Sequence, residues 1–160
     1  MQNSNMIECY DVGGTWTRVA LFNEKGSIIR KEKERTLNDF CSQIKNLSKA
    51  LDSKAEKLSV SVPGPVRKGV LLKAPPLGVE HKIDVKKELS TLNKKVYVEN
   101  DLKAAVEAEL EFGAGKHCSD FYLLTISTGI GAGTILNKQP IKKTSGEFGH
   151  NVIERRKEFS

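Results

Sequence analysis

The sequence predicts an α/β fold of two lobes of related build. Three observations carry that expectation. Three strands, a helix, a strand and a helix follow one another through residue 112; a strand, a glycine turn and a strand then begin again at residue 121; and the helices and strands between have recognisable caps and breakers. The expected division is a first lobe over 1–113 and the start of a second over 114–160, with a cleft between them.

Residues 6–11 form a short apolar strand candidate and 16–23 another, separated by the tight pair Gly13-Gly14. Glu24-Lys25-Gly26-Ser27 supplies turn chemistry before a third strand over 28–35, giving an antiparallel meander. Thr36-Leu37-Asn38-Asp39 resembles a capping-box start for a helix whose Phe40, Ile44, Leu47 and Leu51 recur at helical spacing. That apolar stripe must cover a sheet. Residues 58–62 alternate as a strand and end at Pro63-Gly64-Pro65, where two prolines cannot donate to a ladder. An extended pair over 66–72 and a loop with Pro75-Pro76 come next. Asp84 can then cap a short helix through Leu92, ahead of a strand over 96–99 and a helix over 102–112 stopped by Gly113. Strands over 121–127 and 132–136 flank the turn Thr128-Gly129-Ile130-Gly131.

Composition narrows the class. The 160 residues are 38% apolar and 29% charged with only 5 Pro, which fits a chain with a real core and no extended disorder. No apolar run reaches the ~18 residues needed to cross a bilayer, and residues 1–5 lack the basic and apolar regions of a signal peptide, so a cytoplasmic protein without a membrane partner is expected. Cys9, Cys41 and Cys118 are odd in number, with no Cys-x-x-Cys pair, and read as reduced packing thiols. The net charge of +6 gathers in short clusters such as Lys86-Lys87 and Arg155-Arg156-Lys157. Glutamates interrupt them and aromatics are only 6%, so they read as solvated faces and no nucleic-acid partner is expected.

Four segments carry chemistry. In Asp11-Val12-Gly13-Gly14-Thr15-Trp16-Thr17-Arg18, adjacent glycines let backbone amides approach a phosphate, the Thr15 and Thr17 hydroxyls add donors, and a strand-end carboxylate can hold hydrated Mg²⁺. Taken alone, the turn is equally a plain hairpin. No Gly-Lys-Ser/Thr follows, and the next element is a strand, which excludes a P-loop and a dinucleotide fingerprint. Thr125-Ile126-Ser127-Thr128-Gly129-Ile130-Gly131-Ala132-Gly133 is a second turn of the same chemistry. Between them, Val98-Glu99-Asn100-Asp101 ends a strand before a helix; Asp101 is either a capping carboxylate or a base for an alcohol nucleophile, and Asn100 suits vicinal hydroxyls. In Ser145-Gly146-Glu147-Phe148-Gly149-His150, glycines argue against a helical metal motif, so Glu147 and His150 read as contacts to a polyhydroxyl ligand.

Together DVGGTWTR, VPGPV, VENDLKAAVEAE and TISTGIGAG with GEFGH resemble, in order and across nearly the whole chain, the motifs of ROK family sugar kinases and their glucokinase-like relatives. The resemblance implies the actin-like/RNase H-like ATPase fold and ATP-dependent phosphorylation of a hexose or related sugar. It implies Asp101 as the general base and Gly64, Asn100, Asp101, Glu147 and His150 around the sugar. Gly13, Gly14, Thr15, Thr17, Thr128 and Gly129 would lie around ATP phosphates, with Asp11 positioning Mg²⁺. An alternative is a ROK-type sugar-binding regulator without its DNA-binding domain.

Members of the family are longer. The expectation is therefore an incomplete second lobe without an adenine site, inactive alone, that self-associates or pairs with a complementary C-terminal half because Leu124, Ile126, Ile135, Leu136 and Ile153 lack cover. Many members carry a cysteine-rich zinc loop after the Gly-His motif. His150 would be a zinc ligand only with such a loop, so zinc is not expected of these residues. Ser127, Pro76 and Leu102-Lys103 depart from the family pattern, which leaves the sugar unnamed.

Overall fold

A computed structural model describes residues 6–51, 54–126 and 130–141. The chain divides into two compact units, Met1–Asp101 and Leu102–Ser160. In the first, β1 (Ile7–Val12), β2 (Trp16–Phe22) and β3 (Ile28–Arg35) form the expected antiparallel meander. Helix α1 (Phe40–Leu51) leads to β4 (Lys57–Val62), which lies parallel to β1. The short strands β5 (Val66–Arg67), β6 (Val70–Leu71) and β7 (Ile83–Asp84) make a separate small sheet. Helix α2 (Val85–Leu89) then precedes β8 (Lys95–Asn100), parallel to β4, so the main sheet has the order β3-β2-β1-β4-β8.

Period-two alternation places Tyr10, Val12, Val19, Leu58, Val60, Val62 and Val96 in one core with Phe40, Ile44 and Leu47 of α1 and Val85 and Leu89 of α2. Each such side chain contributes roughly 1.5–3 kcal/mol through burial. Both helices start where the sequence says they should. The Ser42 amide donates to Asp39 Oδ1 at 3.0 Å, which holds the Asp39 carboxyl below its usual range, and the Lys87 amide donates to Asp84 Oδ1 at 2.9 Å. Edge strand β3 is almost wholly exposed and alternates charge, which discourages pairing with another strand.

One core position defies the apolar pattern. Glu8 is 0% exposed, yet Lys94 Nζ lies 2.6 Å from Oε1, and Tyr10 and Ser48 donate to Oε2 at 3.1 and 2.8 Å. The buried charge is thus paired and hydrogen-bonded, as burial demands. Burial and the neighbouring Glu8 carboxylate push the Tyr10 phenol well above its ordinary range.

Helix α3 (Asp101–Glu111) opens on the last residue of the first unit and otherwise belongs to the second, where it is followed by β9 (Phe121–Ile126), β10 (Ile130–Leu136) and β11 (Gln139–Pro140), an antiparallel three-stranded sheet. Val106 of α3 presses so closely on Gly133 that any Cβ there would collide with it. Leu124 and Ile126 are 58% and 76% exposed, as expected, and Leu136 is exposed too. Ile135 corrects the expectation: it is fully buried, being on the strand face opposite Leu136. Ile153 lies outside the described residues.

All three cysteines are free. Cys41 is a packing thiol, pushed up to about 12 by burial and the nearby Asp39 and Glu88 carboxylates, whereas Cys118 is exposed. Among the described residues no helix is long and apolar enough to cross a membrane.

Candidate functional site

Parallel strands β1, β4 and β8 bring their C-terminal ends to one edge of the first sheet, the edge where open α/β sheets bind ligands. There β4 runs into Gly64, and β8 delivers Asn100 directly ahead of Asp101, the first residue of α3. The Asn100 Nδ2 donates to the Gly64 carbonyl and to Asp101 Oδ1, each at 3.1 Å. Its backbone amide donates to Glu99 Oε1 at 3.0 Å. Gly64 has φ +121°, and a side chain there would strike the Lys73 carbonyl, so only glycine fits between its flanking prolines. A carboxylate, a carboxamide and a backbone carbonyl thus converge, a set suited to holding hydroxyls and accepting a proton.

The glycine turn belongs to the same unit. Gly13 N–H donates to the Trp16 carbonyl at 3.0 Å, closing a tight hairpin. Gly14 and Thr15 are exposed, and among the described residues their amides have no acceptor. A Cβ on Gly14 would lie 2.9 Å from the Pro76 side chain, so the turn abuts the loop between β6 and β7. Close packing against Pro76 is therefore one reason for glycine at this position. Two outward amides and an exposed Thr15 fit an anion such as a phosphate.

Thr17 sits differently from the expectation of an outward donor. It falls on the core face of β2, is 1% exposed, and its hydroxyl lies 3.1 Å from Thr36 Oγ1 and 3.2 Å from Gln43 Oε1. Alternation with Val19 and Leu21 is the physical reason. Its hydroxyl supports the hairpin from inside.

Asp11, one residue before the end of β1, is exposed on the other face. Arg18 Nη1 donates to Oδ2 and Ser61 Oγ to Oδ1, both at 3.0 Å. A carboxylate offers about four lone-pair positions, so a hydrated divalent cation remains compatible with these two partners. Sequence reasoning gives no role to Arg18, which closes the first glycine segment, or to Ser61, which lies in no motif; their signal is strand register, which pairs Asp11 with Arg18 and with Ser61. Among the described residues there is no group of three or more His, Cys, Asp or Glu placed to hold a metal ion. Thr128, Gly129, Glu147 and His150 lie outside the described residues.

The ROK family matches residues 7–159. The glucokinase of Pyrobaculum calidifontis is 32% identical over 147 residues, covering 90% of this chain and 49% of that protein. The xylose repressor of Bacillus subtilis is 33% identical over 101 residues, 61% of this chain and 26% of the repressor. Among solved structures, a ROK family glucokinase from Streptomyces griseus in complex with glucose and AMPPNP superposes with a TM-score of 0.82 at 26% identity, covering 93% of this chain and 51% of that one. The fold is the actin-like ATPase fold of the sugar kinases. The chain belongs to the ROK family, and it spans about half the length of the kinases it matches.

Proposed function

We propose that this chain carries the sugar and phosphate half of an ATP-dependent kinase acting on a hexose or related sugar. The observation that carries the reading is the Asn100 carboxamide bonded to both Gly64 and Asp101, in the unit that also presents the outward amides of Gly14 and Thr15. Kinase relatives over nearly the whole chain support it.

In this reading ATP with Mg²⁺ supplies the phosphoryl group and neutralises its charge. The chain does the positioning. Gly64 and Asn100 orient ring hydroxyls, and Asp101 accepts the proton of the attacking hydroxyl through a carboxylate oxygen. Amides of the Gly13-Gly14-Thr15 turn hold phosphate oxygens, and Asp11 orients the hydrated cation. Thr128 and Gly129 contribute the second phosphate turn, and Glu147 and His150 complete the sugar contacts. The lobes in this proposal are 1–113 and 114–160, with the rest of the second lobe coming from further chain or a second copy.

A second reading, sugar binding without turnover, is favoured by the match to a repressor. Hexose-dependent ADP release by the chain completed with the rest of the second lobe, followed in a coupled assay over a panel of hexoses, separates the two. Release with at least one sugar supports the kinase, whereas sugar binding with no release supports the regulator.

A further inference from the structure

The glycine turn is aimed by Thr36 and Gln43, which lie outside the four segments that carry chemistry. Thr36, just after β3, donates its backbone amide to the Thr15 carbonyl at 3.0 Å and its hydroxyl to the Gly13 carbonyl at 2.6 Å. One residue therefore fastens the carbonyls on either side of Gly14. With both held toward Thr36, the intervening amides of Gly14 and Thr15 are left without an acceptor among the described residues. Two successive turn amides without an acceptor can receive an anion.

Thr36 is itself held. Gln43 of α1, 2% exposed, donates Nε2 to the Arg35 carbonyl at 2.7 Å and accepts from the Leu37 amide through Oε1 at 3.1 Å. Because a carbonyl can only accept and an amide N–H only donate, these two bonds fix which way the Gln43 carboxamide points. They clamp the backbone on both sides of Thr36. Thr17 Oγ1 joins the Thr36 hydroxyl to Gln43 Oε1. The Thr36 proton is committed to Gly13, so the single Thr17 proton is shared between Thr36 and Gln43.

We propose that Thr36, clamped by Gln43, is a positioning residue that preorganises the Gly13-Gly14-Thr15 turn for phosphate. The inference rests on the phosphate reading of that turn. A core filler would need neither a hydroxyl nor this pair of carbonyl contacts, and a helix cap would aim its oxygen at α1, where Asp39 already serves.

Trp16, the single tryptophan, adjoins the turn and lies 4.1 Å from Lys33 Nζ and 4.5 Å from the Arg35 guanidinium carbon, so its emission reports on the hairpin without any turnover. The probes are ATP and inorganic tripolyphosphate, titrated into the full chain and its Thr36→Ser, Thr36→Val and Thr36→Ala variants. The expected result is binding by the wild type, near-wild-type binding by Thr36→Ser, and binding about tenfold weaker in Thr36→Val, the size of one good hydrogen bond. Thr36→Ala, which removes the hydroxyl without adding a methyl, carries the same expectation if Thr36→Val does not fold. A wild type that binds neither probe overturns the phosphate reading and this inference with it. Binding that loss of the hydroxyl leaves unchanged, or that Thr36→Ser fails to preserve, overturns this inference alone.

Discussion

Asn100 donates from Nδ2 to the Asp101 carboxylate at 3.1 Å while the same nitrogen reaches the Gly64 carbonyl. A carboxylate that opens a helix could serve only as a cap. Here it is tied through its neighbour to the Pro63-Gly64-Pro65 turn, 36 residues earlier, so the position of the acid depends on the shape of that turn.

The first prediction tests that dependence. At Gly64 the backbone has φ +121° and a Cβ would meet the Lys73 carbonyl. Gly64→Ala is expected to lower stability by about 2 kcal/mol or more, measured as a shift in urea midpoint at constant slope. A variant with an unshifted midpoint would mean that the turn adapts freely.

The buried ion pair gives the second. Lys94→Met leaves the Glu8 charge in the core without its 2.6 Å partner and should cost about 3–5 kcal/mol. Adding Glu8→Gln should recover much of that loss, because an amide needs no counter-ion. Denaturation of the single and double variants reads both effects.

The third follows from Tyr10. Its folded pKa is raised, first by burial and then by Glu8, so its contribution is fully present below the unfolded value of about 10 and is lost as pH rises beyond it. Stability should therefore fall steeply above pH ~10, and Tyr10→Phe should flatten that part of the profile.

Much of the fold was legible because it is written locally. The meander, the Asp39 and Asp84 caps and the helix opening at Asp101 all follow from alternation, helical spacing and capping residues. Alternation also held the correct place for Thr17, level with Val19 and Leu21 on the core face, although its hydroxyl invites a ligand-binding role. What stayed hidden is long-range. Nothing near Ser61 announces that it reaches Asp11, 50 residues away, and Thr36 resembles the start of a capping box while its bonds go to a turn more than 20 residues earlier. Glu8 resists sequence reading for a different reason: a carboxylate on a core face becomes tolerable only once Lys94, Tyr10 and Ser48 are folded around it.

The most direct test of the proposed chemistry, made with the chain completed by the rest of the second lobe, compares hexose-dependent ADP release by the wild type and by Asp101→Asn, which keeps the size of the side chain and removes the base. The expected result is a fall in kcat of roughly 10²-fold or more with the hexose KM little changed. Turnover by Asp101→Asn at the wild-type rate would contradict the role given to Asp101 and with it the proposed mechanism.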